Sequence, residues 1–93
     1  MTDKLDLSYQ QLTELPNDLP ATLKVLYCND NQLTSITALP NALVTLHCYN
    51  NQLTAINLSA NTALTGLICS NNQLTSLNLS TNTDYLQFLG QPK

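Results

Sequence analysis

Residues 43–63 read Leu-Val-Thr-Leu-His-Cys-Tyr-Asn-Asn-Gln-Leu-Thr-Ala-Ile-Asn-Leu-Ser-Ala-Asn-Thr-Ala. The same phrase returns at 23–42 and 64–84 as Leu-x-x-Leu-x-Cys-x-x-Asn-Gln-Leu-Thr-x-(Leu/Ile), and in weaker form at both ends. Gln-Leu-Thr falls at 11–13, 32–34, 52–54 and 73–75, so successive copies lie 21, 20 and 21 residues apart. A period that short and steady means stacked units, each burying its apolar face only against its neighbours.

Numbered from the leading leucine, positions 1, 4, 6, 11 and 14 are apolar in every full copy. They are Leu23, Leu26, Cys28, Leu33 and Ile36, then Leu43, Leu46, Cys48, Leu53 and Ile56, then Leu64, Leu67, Cys69, Leu74 and Leu77. The alternation over positions 4 to 6 reads as a short strand with one buried face. Position 9 is Asn31, Asn51 and Asn72. An asparagine between buried leucines needs partners, because an unsatisfied buried amide costs about 1–3 kcal/mol. The backbone groups at the turn ending each strand are expected to supply them.

These positions resemble the leucine-rich repeat, Leu-x-x-Leu-x-Leu-x-x-Asn/Cys-x-Leu, with units of about 20–29 residues. The resemblance runs from residue 5 to about residue 79, with cysteine standing as a small hydrophobe at one leucine position. It implies a solenoid with a short parallel sheet on the concave face. Each return keeps roughly ten residues, too few for an α-helix of ordinary length, so extended or 3₁₀ backbone is expected. Leu15-Pro16-Asn17-Asp18-Leu19-Pro20 and Leu39-Pro40-Asn41 agree, since proline blocks helix interiors. These Leu-Pro returns look like the short repeats of bacterial type III-secreted effectors. Asn57-Leu58-Ser59-Ala60-Asn61 and Asn78-Leu79-Ser80-Thr81-Asn82 resemble other bacterial repeat proteins, some of them at the cell surface.

The expected organisation is one domain, 1–93. A degenerate first repeat (2–22) precedes full repeats 23–42, 43–63 and 64–84, and a capping strand (85–93) carries Phe88 at position 4. Pro92 and Lys93 discourage further strand pairing.

Three lysines and no arginine, against six acids, give a net charge of −3 and no basic surface for a phosphate backbone. Nucleic acid is therefore not the expected partner. No run approaches the roughly 18 apolar residues of a membrane span. The opening Met1-Thr2-Asp3-Lys4-Leu5-Asp6 lacks the apolar stretch of a signal peptide, so the bacterial cytoplasm is the expected address. Resemblance to secreted effectors adds delivery into a host cell. Cys28, Cys48 and Cys69 are an odd number at repeat spacing, which suits a reducing compartment. Their thiols should lie side by side in the core. With no fourth ligand evident, neither zinc nor any other cofactor is expected.

What differs between repeats stands between the leucines. The position-5 row is Asp6, Tyr27, His47, Ile68 and Leu89, and the position-7 row is Ser8, Asn29, Tyr49, Ser70 and Gln91. The position-8 row is Tyr9, Asp30, Asn50 and Asn71. Strands about 4.8 Å apart would merge Tyr27, His47, Tyr49 and Ile68 into one patch, flanked by Asn29, Asn50 and Asp6. Tyrosines on a rigid platform are favoured binding anchors. The expected function is protein–protein recognition through this concave face. The alternative is a structural or adhesive module that self-associates end to end through its open solenoid ends.

No catalysis is expected. His47 points out while Cys48 turns in, which excludes a Cys–His dyad. A chain of 93 residues has no room for the separate ubiquitin-ligase domain carried by some effectors of the resembling kind. Asn57-Leu58-Ser59 and Asn78-Leu79-Ser80 match a glycosylation pattern but read more simply as turns.

Overall fold

Each repeat contributes one three-residue strand to a parallel ladder, and the ladder follows the sequence period. The computed structural model describes residues 3–36, 38–74 and the backbone of 87–89. Its strands are β1 (Lys4–Asp6), β2 (Val25–Tyr27), β3 (Ser35–Ile36), β4 (Thr45–His47), β5 (Ala55–Ile56), β6 (Gly66–Ile68) and β7 (Gln87–Leu89). Strands β1-β2-β4-β6-β7 form a five-stranded sheet and β3-β5 a second, two-stranded one. There is no helix among the described residues.

The register is that of the repeat. Leu5 pairs with Leu26, Leu26 with Leu46, Leu46 with Leu67 and Leu67 with Phe88. The 20-residue step costs nothing in pairing, because the missing residue comes out of a return. Leu26, Leu46 and Leu67 are fully buried, and Leu23, Leu33, Leu43, Leu53, Leu64 and Leu74 join them in one continuous core. Each such leucine contributes about 1.5–3 kcal/mol by leaving water. In the first repeat Leu5, Leu7, Leu12, Leu15 and Leu19 are only partly buried against this core.

The position-9 asparagines join the repeats. Asn51 donates its amide to the Cys28, Cys48 and Tyr49 carbonyls (3.0, 3.1 and 3.3 Å), and its Oδ1 accepts the Leu33 N–H (3.0 Å). Asn31 and Asn72 repeat the arrangement toward Leu12 N–H and Leu53 N–H. The expected partners at the strand-ending turn are therefore present, together with groups of the preceding repeat.

The second sheet is unforeseen. Ser35 pairs with Ala55 and Ile36 with Ile56, so part of the return is hydrogen-bonded strand. The two kinds of return then close on the same corner. Leu23 N–H donates to Pro20 O (3.1 Å), Leu43 N–H to Pro40 O (3.2 Å) and Leu64 N–H to Asn61 O (3.2 Å). Without proline, the Asn61 return is shaped by turns. Asn57 Oδ1 accepts the Ser59 N–H and hydroxyl, and Asn61 N–H donates to Leu58 O. This places Asn57 in a turn; Asn78 lies outside the described residues. The Asn61 side chain is buried at 2% exposure and donates to Pro40 O at 2.8 Å.

Candidate functional site

Alternation fixes which side chains leave the core. In β2, β4 and β6 the middle leucine is buried and its two neighbours are partly exposed, so Tyr27, His47 and Ile68 stand in one row on the sheet face. Cys28, Cys48 and Cys69 follow directly and are buried free thiols. His47 and the Cys48 thiol therefore occupy opposite sides of the strand. Burial pushes Cys28 up to about 12 and Cys69 up to about 11, and Cys48 well above its ordinary value. Thiols of this kind are protonated and inert at neutral pH. Among the described residues no three His, Cys, Asp or Glu side chains converge as metal ligands.

The rings form a connected group. Tyr27 stacks on His47 with centroids 4.5 Å apart and planes at 28°, and His47 meets Tyr49 at 6.1 Å and 48°. At the other side of Tyr27, the Lys4 ammonium lies over the ring at 5.0 Å. Asp6, the ladder partner of Tyr27, binds the Ser8 hydroxyl and N–H, which together with Lys4 holds its carboxyl below the usual range. Partial burial lowers the pKa of His47, so the stacked imidazole is neutral at pH 7. A neutral ring between two phenols presents an amphipathic surface with little fixed charge.

A second row edges the sheet. Asn71 donates to Asn50 Oδ1 (2.7 Å) and Asn50 donates to Asp30 Oδ1 (2.9 Å). Tyr9, Asp30, Asn50 and Asn71 share left-handed backbone, with φ of 58°, 59°, 57° and 57°. Asparagine and aspartate tolerate that region better than other non-glycine residues. Asn50, read from the sequence as a contact residue, thus also has a conformational reason to be where it is.

The expectation for Asn29 requires correction. It is 5% exposed, not on the open face. Its side-chain amide donates to Asp30 Oδ2 (2.7 Å), and its backbone carbonyl accepts from Tyr9 N–H and the Asn31 side chain. Burial and the bond to Asp30 take this side chain off the open face. Of the remaining candidates, Tyr27, His47, Tyr49 and Ile68 are partly exposed, and Asp6 and Asn50 are exposed. Tyr9, 74% exposed, is the residue sequence reasoning passed over. The signal was present, since Tyr9 is the one bulky member of a row otherwise made of Asp and Asn. Leu89 and Gln91 belonged to the predicted rows, but the Leu89 side chain and residue 91 lie outside the described residues.

A surface hollow lies elsewhere. It has a volume of about 390 Å³ between the first two returns, where Leu19, Ala21, Ala38 and Leu39 line it together with Asn17 and Asn41. It lies among the returns, apart from the ring cluster.

The family model described as leucine-rich repeats (two copies) matches residues 21–60. Among solved structures, the leucine-rich-repeat domain of a Shigella effector superposes with a TM-score of 0.69 at 25% sequence identity, covering 95% of this chain. The chain corresponds to 48% of that structure, about half its length. No curated protein matches the sequence. No helix among the described residues is long and apolar enough to cross a membrane.

Proposed function

Since this chain is a solenoid of leucine-rich repeats, we propose that the face of its five-stranded sheet binds a protein partner. The observation that carries the reading is the connected cluster of Tyr27, His47 and Tyr49 beside Ile68. Buried leucines, cysteines and asparagines account for the fold. None of them needs this concentration of rings on the solvent side. Aromatic residues on a stiff parallel ladder lose little freedom on binding, which favours them as anchors. Asp6 and Asn50 flank the cluster as polar contacts. The similarity to a Shigella effector domain supports an effector-like role, in a bacterial cytoplasm or after delivery to a host cell. The reading assigns recognition and no catalysis.

The test is capture of the partner by the wild-type protein and by the double variant Tyr27→Ala, Tyr49→Ala. Loss of one foreign protein from the variant, with circular dichroism unchanged, is the expected result. Equal retention by both would rule the face out. Assembly that grows with protein concentration, with no foreign protein retained, would favour self-association instead.

A further inference from the structure

Resting on the sheet-face reading, we propose that Asp30, beside the exposed Tyr9, is the seat for a lysine or arginine side chain of a basic segment in the protein partner. Three independent observations lead there.

The first is backbone cost. Position 8 requires left-handed φ in the four repeats described, and three of them meet it with Asp30, Asn50 and Asn71. Tyr9 holds φ at 58° with a bulky side chain, in a region costing roughly 1–2 kcal/mol for ordinary residues. Core packing does not offset that cost, because Tyr9 is 74% exposed. An exposed aromatic held in an unfavourable conformation is a mark of a working position.

The second is a carboxylate fixed without a cation. Asp30 accepts Asn29 on Oδ2 and Asn50 on Oδ1, and Asn50 is in turn held by Asn71. These amide bonds, with the Tyr9 hydroxyl, keep its carboxyl ionised, and no ammonium contributes among the described residues. The neighbouring charge pushes the Tyr9 phenol up, so this exposed ring borders the negative group.

The third is a precedent within the chain. At the adjoining corner the Lys4 ammonium already sits over the Tyr27 ring at 5.0 Å, beside Asp6. The ring accepts the cation there, and the nearby carboxylate adds a favourable field. The Asp30 corner repeats those elements in Tyr9 and Asp30 with no cation of its own among the described residues, and the chain's net charge of −3 suits a basic partner.

The probe is a fluorescein-labelled oligo-arginine peptide, with an oligo-glutamate peptide as control. Anisotropy is read at about 10 mM ionic strength, where screening extends to about 30 Å. Wild-type protein should bind the basic peptide saturably and ignore the acidic one. Asp30→Asn keeps the left-handed residue and should weaken binding at least about tenfold. Asp18→Asn removes an equal charge from an exposed turn and should change it less than about twofold. Tyr9→Asn should weaken binding while raising the urea midpoint, a combination that a purely structural Tyr9 would not give. No saturable binding, or equal losses in Asp30→Asn and Asp18→Asn, overturns the seat. In partner capture, full retention by Asp30→Asn with loss by Tyr27→Ala, Tyr49→Ala removes the seat and leaves the face reading standing.

Discussion

Asn51 and Leu33 are joined across a repeat boundary, the side-chain Oδ1 accepting the buried backbone N–H at 3.0 Å. The same amide group holds three carbonyls of two successive strands, so one side chain stitches two rungs of the core. Asn51→Ala would leave these groups buried and unpaired, at about 1–3 kcal/mol for each one that finds no water. The expected loss is at least about 3 kcal/mol, read as a fall in the urea midpoint. A change below about 1 kcal/mol would mean that water replaces the amide.

The cysteines offer a probe of opening. With Cys28 pushed up to about 12 and Cys69 up to about 11, their thiols are not nucleophiles at pH 8. An aromatic disulfide reagent should label none of Cys28, Cys48 and Cys69 in the folded protein and all of them in urea. Rapid labelling of Cys48 without denaturant would contradict its burial between rungs.

His47 sets a pH dependence in a defined direction. Its folded pKa lies below the ordinary value of 6.5, so the unfolded chain binds more protons between the two values. The stability it contributes is complete above that ordinary value and is lost as pH falls toward the folded one. The urea midpoint should therefore decline as pH is lowered through the range below 6.5, and His47→Gln should flatten that decline. Asp6 and Asp30 have lowered pKa values, so their contributions fail only in the acid range beyond this window. An identical profile in the variant would show that the stacked imidazole is not the group responsible.

Gly66 is the weak rung of the sheet. A Cβ built there would meet Thr45 Oγ1 at 3.6 Å, an ordinary contact. Gly66→Thr should stabilise by roughly 0.5–1 kcal/mol, through lower unfolded-state entropy and a cross-strand threonine pair. A lower melting temperature would indicate that the sheet face has less room beside Ile68 than this contact suggests.

Leucine spacing made the ladder legible residue by residue, because a slip of one would have turned Leu46 outward and His47 inward. The partners of Asn31, Asn51 and Asn72 were likewise readable, since buried amides have few places to go. Other features depend on contacts the pattern does not encode. Asn29 occupies the same row as Tyr49, yet its hydrogen bond to Asp30 draws it under cover. The pairing of Ser35 with Ala55 joins short polar-flanked segments with no alternation long enough to announce a strand. Left-handed backbone at position 8 had a compositional trace in Asp30, Asn50 and Asn71, and Tyr9 masked it by being the exception.

The shared corner at Pro20, Pro40 and Asn61 bears on how such a chain can be rewritten. Each return delivers the next leucine to the same place by one carbonyl, whatever its length or proline content. A return is then an exchangeable cassette: the 37–42 and 57–63 segments could trade places while every rung above and below keeps its partner. Lengthening, shortening or grafting a unit becomes an operation on the back of the molecule, and the row that meets the outside world can be composed one rung at a time.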